Sequence, residues 1–373
     1  MTIYHILTYS YENGGTSKFV ADLASFQREK GDIVKILSTN LVGHTTYPVP
    51  EGVELISFEP ETLTKVIPLY SSALSDYVVA HEKEVDVIHL HCLWNFGELL
   101  VDKLNLHHKT VVTIHGSLHP YTFKGLVYYK RLVYSKWFQK NFLRKVKLIH
   151  VNHNGEVKDV TDYLGYKPDN MEVIPNGTDL QEVTVTPPAD RRRNELLYIG
   201  RLHHKKGFEI LMPAFKLVLA KRPDAKLLIA GPDDGMLEYI ENFCKENGMQ
   251  EQVQILGTVT GEPKKELFSK SGIFVLPTYS EGFSLAVLEA LMYGLPAVVS
   301  DQTGLSPLLE DYNAAVVTDL TPEAYAKGLL DVLNKDELYN ALPENGLRLL
   351  REKLEKNQVC TVFNRQVYDK FRS

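Results

Sequence analysis

Short apolar runs recur along the whole chain, and most are followed by a turn and a stretch with apolar residues at helical spacing. Ile3–Leu7, Ile33–Ser38, Val53–Phe58, Val87–Leu90, Val111–Ile114 and Leu148–Val151 form one series. Leu196–Gly200, Lys226–Ala230, Gln252–Leu256 and Ile273–Leu276 form a second. Runs of four to six apolar residues read as strands buried on both faces. Strands of that kind, with helices between them, predict parallel sheets covered by helices on both sides. A chain of 373 residues is too long for one ordinary core, so two such domains are expected. The first is expected over residues 1–182 and the second over 183–354. Thr184 to Arg193, TVTPPADRRR, is polar and rich in proline and reads as the linker.

In doubly wound sheets, binding groups gather in the loops after the carboxyl ends of strands, and several of these loops are distinctive. The run Ile273–Leu276 leads into Thr278 to Pro296, TYSEGFSLAVLEALMYGLP. Gly282 and Ser284 make a turn, and Leu285 to Tyr293 reads as a helix. The free N–H groups at such a helix start, around Phe283, Ser284 and Leu285, form an anion site. Glu281 and Glu289 bracket it. A carboxylate would repel a phosphate but accepts hydrogen bonds from hydroxyls, so the pair suggests sugars on either side of a diphosphate. In Gly200-Arg201-Leu202-His203-His204-Lys205-Lys206-Gly207, Arg201 and Lys206 are spaced to reach one diphosphate, the guanidinium as a planar fork and the ammonium as a point charge. Pro213 predicts a late start or a kink in the helix that follows.

In the first half, Gly14 and Gly15 sit between the first strand and a helix over Thr16 to Lys30, in a loop beginning at Tyr9. No G-x-G-x-x-G is present, which argues against nicotinamide binding. His115 ends a strand and precedes Gly116. His89 and His91 lie two apart on a strand and face one side. With His115 they offer a rival reading as the ligands of a metal hydrolase. Leu118 to Gly155 holds Lys124, Lys130, Arg131, Lys136, Lys140, Arg144, Lys145 and Lys147 with no Asp or Glu. Interleaved aromatic residues make this basic region 118–155 a candidate contact with an anionic membrane surface or an anionic, lipid-linked acceptor.

The net charge of −6 argues against a nucleic-acid binder. Three widely spaced cysteines, Cys92, Cys244 and Cys360, fit a reducing compartment. The N-terminus lacks a basic segment and a long apolar core, and no apolar stretch reaches membrane-spanning length. A cytoplasmic protein is expected, peripheral at the inner membrane face if the basic region binds there.

The segment EGFSLAVLE, with its E-x7-E spacing, and its continuation ALMYGLPAVVSD resemble the retaining glycosyltransferases of the GT-B fold, family 4 in particular. The resemblance extends to GRLHHKKG and to MEVIPNGTD. It is strong from Leu196 to Ser300 and weak between Asn40 and Lys83. It implies an α/β GT-B fold, two doubly wound Rossmann-like domains facing across a cleft, with a final helix at about 355–373 crossing back to the first. Glu344 to Phe371 is the helical stretch expected to do so. By the same resemblance Glu281 and His115 contact the transferred sugar and are the catalytic pair. Glu289 holds the ribose, Arg201 and Lys206 neutralise the diphosphate, Gly14 and Gly15 lie near the donor phosphate, and backbone near Val259 holds the base. Phe283, Ser284 and Leu285 complete the donor set.

The implied reaction is metal-independent hexosyl transfer with retention, by same-face attack rather than through a covalent intermediate, since no dedicated carboxylate nucleophile is found. The chain has no D-x-D, the metal-holding motif of the other main glycosyltransferase fold. The expected donor is a UDP-hexose, UDP-glucose first. The expected acceptor is a glycan or lipid-linked glycan of bacterial surface polysaccharide synthesis. A GDP-mannose-dependent transferase, a nucleotide-sugar epimerase or phosphorylase on the same fold, and a non-catalytic nucleotide-sugar binder are the other readings.

Overall fold

The structure is a computed structural model and describes residues 1–7, 11, 14–39, 47–61, 69–123, 127–180 and 185–372, with the side chains of Tyr121 and of residues 127–130 left aside. Parts of the loop from Tyr9 and of the weakly matching region 40–83, together with Lys124 and Thr184, lie outside the described residues. The chain divides into two compact units, Met1–Gly177 with Lys356–Ser373, and Thr178–Glu355. The boundary expected after residue 182 thus falls after Gly177, and the return to the first unit begins at Lys356.

The first unit contains β1 (Thr2–Leu7), α1 (Gly15–Glu29), β2 (Ile33–Thr39), β3 (Glu54–Phe58), α2 (Ser72–His81), β4 (Val87–His91) and α3 (Phe96–Lys103). β5 (Thr110–Thr113), α4 (Val127–Tyr134), α5 (Lys140–Lys145), β6 (Leu148–Val151), α6 (Asn154–Leu164) and β7 (Met171–Val173) follow. All seven strands are parallel, in the order β3-β2-β1-β4-β5-β6-β7. The strand order reverses between β1 and β4, so the loop carrying Gly14 and the end of β4 at His91 lie at the switch point of the sheet, the usual ligand position in such sheets.

The second unit runs β8 (Arg192–Ile199), α7 (Phe208–Leu219), β9 (Lys226–Ala230), α8 (Leu237–Asn247), β10 (Val253–Gly257), α9 (Gly261–Lys270), β11 (Ser271–Leu276) and α10 (Leu285–Met292). It continues with β12 (Ala297–Ser300), α11 (Ser306–Asp311), β13 (Val316–Thr318), α12 (Pro322–Asn334) and α13 (Asp336–Leu349). Its six parallel strands follow the order β10-β9-β8-β11-β12-β13, with the switch point between β8 and β11. All six residues of β11 are buried, which is why this strand reads as an unbroken apolar run rather than an alternating one. Tyr325 on α12 is fully buried. Its hydroxyl accepts from the Leu276 N–H at 2.8 Å and donates to the Val298 carbonyl at 2.7 Å, tying β11 to β12.

Three expectations are corrected. Arg192 and Arg193 belong to β8 and not to a linker, because the edge of a strand tolerates charged residues that reach solvent. The late start expected of the helix after Gly207 is not seen: it begins at once, at Phe208, with Pro213 inside it. Its apolar face packs Phe208, Leu211, Met212 and Phe215 into the core, which outweighs the hydrogen bond that proline removes. The helix expected over Glu344 to Phe371 is two helices. The π-helical turn Leu350–Leu354 ends α13, Glu355 is extended, and α14 (Lys356–Gln366) begins after it in the other unit. There Phe363 packs against Phe19 of α1, with ring centroids 5.8 Å apart.

Candidate active site

In the second unit, the loops after β8 and β11 are held together by their backbones. The Tyr279 N–H and the Thr278 hydroxyl both donate to the Lys205 carbonyl, each at 2.9 Å. Gly207 adopts φ +75°, and a Cβ there would meet the Pro277 carbonyl oxygen at 1.7 Å, so only glycine lets the two loops approach this closely. This packing brings Lys206 Nζ into an ion pair with Glu281 Oε2. Both side chains are mostly buried, at 17% and 20% exposure.

Glu281 is held by its backbone as well. Its N–H donates to the Gln302 carbonyl at 3.1 Å, and its carbonyl accepts from the Gly304 N–H at 2.8 Å. The loop Asp301–Gly304 after β12, to which sequence reasoning assigned no role, is therefore the clamp on Glu281.

Arg201 points the other way along its loop and pairs with Asp234, Nη1 to Oδ2 at 2.7 Å, at an exposed position. The loop after β9 stays close because Leu202 donates to the Pro232 carbonyl at 2.9 Å and Asp234 to the Leu202 carbonyl at 3.1 Å. Ser284 caps α10, its Oγ accepting from the Val287 N–H at 3.5 Å. The first N–H groups of α10, around Leu285, are thereby left for other acceptors. Phe283 packs against the core beside the cap. Glu289, in the second turn of α10, pairs with Lys264 of α9, Nζ to Oε1 at 2.6 Å. Val259 lies partly buried in the loop after β10. Neither Lys264 nor Asp234 was singled out from the sequence. Each stands in a charged, helix-like or turn-like stretch, and its pairing appears only when strands distant in sequence are adjacent.

In the first unit, Gly14 is the N-cap of α1 in extended conformation, and a Cβ at this position meets nothing within 4 Å. Gly15 opens the helix and is exposed. His115 follows β5 at φ +48°, a left-handed conformation that a histidine adopts only when its surroundings hold it there. Glu156 does so from α6. One of its oxygens accepts from the Gly116 N–H, and the other accepts from the Asn152 N–H at 2.6 Å. Burial pushes the Glu156 carboxyl up to about 7.

His115 is one of five histidines in contact. His5, His89, His91 and His150 are all buried, and Phe19 and Phe363 pack on their rings. Burial lowers His5 and His150 to about 4 and His115 to about 3, and drives His89 and His91 well below the usual range, so all five rings are neutral near pH 7. Among the described residues, the set that brings three candidate metal-binding atoms within 4.8 Å of one another is His5, His89 and His91, not the expected His89, His91 and His115. His89 uses both ring nitrogens on Tyr368 and Thr113, each at 2.6 Å. His5 uses both on His91 and Gln27, and His91 uses its second on His115 at 3.2 Å. A metal ion there would have to break these bonds, so the cluster fits a hydrogen-bonded core better than a metal centre.

Comparison with known proteins matches residues 13–182 to the model described as Glycosyltransferase Family 4 and residues 183–348 to that described as Glycosyl transferases group 1. An uncharacterised glycosyltransferase of Methanocaldococcus jannaschii is 31% identical over 190 residues, 48% of each chain, so the match spans about half of that relative. A second from the same organism is 25% identical over 301 residues, 78% of this chain and 77% of the other. The Escherichia coli UDP-Gal:alpha-D-GlcNAc-diphosphoundecaprenol alpha-1,3-galactosyltransferase is 25% identical over 291 residues, 74% and 73% of the two chains.

Among solved structures, a sucrose-phosphate synthase from Thermosynechococcus elongatus superposes with a TM-score of 0.78 at 18% identity, covering 100% of this chain and 99% of the other. An Anabaena protein solved with UDP-glucose gives 0.74 at 16%, covering 99% and 100%. With both sheets in Rossmann-like order and two family models meeting at residue 182/183, the chain belongs to the family 4 glycosyltransferases of GT-B fold.

Proposed function

We propose that this glycosyltransferase moves a hexosyl group, with retention of anomeric configuration, from a UDP-hexose to a glycan or lipid-linked acceptor. The observation that carries the reading is the pairing of Lys206 with Glu281 at the switch point of the second sheet, beside the N-terminus of α10. One cation and one carboxylate side by side fit the junction between a diphosphate and a sugar. Lys206 and Arg201, with the free N–H groups of α10, take up the charge that grows on the leaving diphosphate. Glu281 accepts from sugar hydroxyls, as does His115 of the first unit, and Glu289 accepts from the ribose hydroxyls. Gly14 and Gly15, at the start of α1, are read as lying near the donor phosphate and Val259 as lying near the base.

The chemistry is read as independent of a divalent ion, because Arg201 and Lys206 supply the positive charge that a metal would bring. UDP-glucose is the first donor to test, in keeping with the UDP-glucose complex of the Anabaena neighbour. UDP-galactose follows from the Escherichia coli relative. Because a ribose is common to UDP and GDP donors, Glu289 does not separate them, and GDP-mannose is the competing donor.

The basic segment is read as a peripheral hold on an anionic membrane carrying a lipid-linked acceptor. Trp137 is 80% exposed, Leu132 and Val133 are exposed beside it, and no acidic residue occurs from Leu118 to Gly155. No helix among the described residues is long and apolar enough to cross a membrane.

The test is transfer from labelled UDP-glucose, UDP-galactose and GDP-mannose to polyprenyl-diphosphate sugars in the presence of EDTA, with the product's anomeric configuration read by NMR. An α-linked product from an α-configured UDP-hexose, formed in EDTA, supports the reading. A β-linked product, a strict requirement for manganese, or release of epimerised donor without transfer contradicts it.

A further inference from the structure

The hydrogen bonds of the histidine cluster form two directed runs, one set by the Ile174 carbonyl and one by the Gln27 amide oxygen. The Ile174 carbonyl lies 2.9 Å from His150 Nε2. A carbonyl only accepts, so His150 carries its proton on Nε2 and its Nδ1 is an acceptor. That Nδ1 lies 3.0 Å from the Thr113 hydroxyl, which therefore donates to it. Thr113 Oγ1, its one proton committed, accepts from His89 Nε2 at 2.6 Å. His89 Nδ1 is then an acceptor, and the Tyr368 hydroxyl donates to it at 2.6 Å.

A second run starts at Gln27. Its amide nitrogen has no hydrogen-bond partner among the described residues, and its amide oxygen Oε1 lies 2.8 Å from His5 Nε2. An amide oxygen only accepts, so it takes the His5 Nε2 proton.

From Gln27 the same logic runs back to His115. His5 donates through Nε2 to Gln27 Oε1, so His5 Nδ1 accepts from His91 Nε2 at 3.0 Å. His91 Nδ1 then accepts from His115 Nε2 at 3.2 Å. Among the described residues His115 Nδ1 has no partner, and His115 is only partly buried. His150, Thr113 and His89 in the first run, and His5 and His91 in the second, are each used once as donor and once as acceptor, so within a run reversing one bond would force its neighbours to reverse.

We propose that the directed run from the Gln27 amide oxygen through His5 and His91 holds His115 in the Nε2–H form and makes its remaining nitrogen, Nδ1, an acceptor for a hydroxyl of the transferred sugar. Gln27, His5 and His91 are positioning residues in this scheme, since they act through His115. The inference rests on the reading of His115 as a sugar contact, and it adds which atom makes that contact and what fixes it.

The experiment labels the ring nitrogens of histidine in the full chain and reads each tautomer from long-range proton–nitrogen correlation spectra. Signals are assigned with single histidine substitutions. The Nε2–H form also predominates in free histidine, so the response to Gln27 decides. In wild type, His5, His91 and His115 are expected as Nε2–H. Gln27→Lys puts a donor where the acceptor stood and is expected to switch all three to Nδ1–H. It should slow hexosyl transfer about ten-fold, the worth of one hydrogen bond. Gln27→Glu keeps an acceptor and should leave His115 and the transfer rate near wild type.

His115 found as Nδ1–H in wild type, or unmoved while His5 switches, overturns the proposal. If Gln27→Lys does not fold, Gln27→Met, which offers neither donor nor acceptor, should give His115 mixed tautomers, and an unchanged His115 signal overturns it too. If the tautomers switch but transfer is unaffected, and His115→Ala also transfers normally, the sugar contact at Nδ1 is refuted while the donor site of the second unit stands.

Discussion

Lys264 on α9 places its Nζ 2.6 Å from Oε1 of Glu289 on α10, so the carboxylate proposed to hold the ribose is itself held by a lysine. Both side chains are about one-third exposed, and a pair of that exposure contributes little to stability. Glu289→Ala should leave the melting temperature nearly unchanged and weaken UDP binding by one to two orders of magnitude, about 1.5–3 kcal/mol for hydrogen bonds to a charged acceptor. Lys264→Ala removes only the support and should weaken UDP binding a few-fold. Titration calorimetry separates the two, and equal losses would mean that Lys264 contacts the nucleotide itself.

Gly207 is the hinge pin between the loops that carry Lys206 and Glu281. Alanine there puts a Cβ 1.7 Å from the Pro277 carbonyl oxygen and demands a left-handed backbone at φ +75°, a conformation that costs a non-glycine residue about 1–2 kcal/mol. Gly207→Ala should destabilise the protein by about 1–3 kcal/mol and lower transfer activity more than that loss of stability explains, because the two loops separate. Activity at wild-type level in the folded fraction would show that the loop contact does not position the site.

The buried histidines make the first unit sensitive to acid. His5, His115, His150 and His153 have folded pKa values near 4, 3, 4 and 4, and His89 and His91 lie well below the usual range, burial being the main cause in each. A group whose folded pKa is depressed contributes stability that is present above its unfolded value of about 6.5 and is lost as pH falls towards the folded one. Glu98 and Glu156, pushed up to about 7 by burial, work in the opposite direction over about 4.5–7. Burial also lowers His107 and pushes Asp159 up to about 6, so seven groups oppose three. Thermal unfolding followed from pH 7 to pH 5 should therefore show a falling melting temperature. A flat or rising profile would contradict the neutral state of the cluster.

Trp137 is the most exposed large apolar side chain of the described residues, at 80%. Its neighbours Lys136, Arg144 and Lys145 are exposed too. Indole rings favour the membrane–water boundary, and each basic residue near an anionic leaflet adds about 1 kcal/mol. Sedimentation with vesicles rich in phosphatidylglycerol should carry the protein down. Neutral vesicles should not, and Trp137→Ala should weaken the binding several-fold. Equal binding to neutral vesicles, or none to anionic ones, would remove the membrane role.

Most of the fold was legible because buried parallel strands announce themselves as unbroken apolar runs, as Ile273–Leu276 does within β11. The change of unit near residue 355 was expected, but the break in the helix itself at Glu355 was not, because the apolar spacing continues across it. At the candidate site, Glu281, Glu289, Arg201 and Lys206 stood out through spacing within single loops. Their partners did not. Lys264 comes from helix α9, and Asp234 and the clamp at Gln302 and Gly304 from other loops, and only strand order makes them neighbours. The histidines show the same limit. His89 and His91 could be placed on one face, but His5 joins them from the adjacent strand β1, His150 from β6 through Thr113 of the intervening β5, and Gln27 and Tyr368 from helical segments far apart in the chain.

The central claim is that the second unit holds a UDP-sugar donor through Lys206 beside Glu281. Its most direct test is calorimetric binding of UDP and GDP, with EDTA present, to wild type and to Lys206→Ala. The account predicts that UDP binds without added metal, that GDP binds more weakly, and that Lys206→Ala loses at least about ten-fold in UDP affinity, the worth of one charge-assisted contact to a phosphate. UDP binding that needs a divalent ion, or that is unchanged in Lys206→Ala, would contradict it.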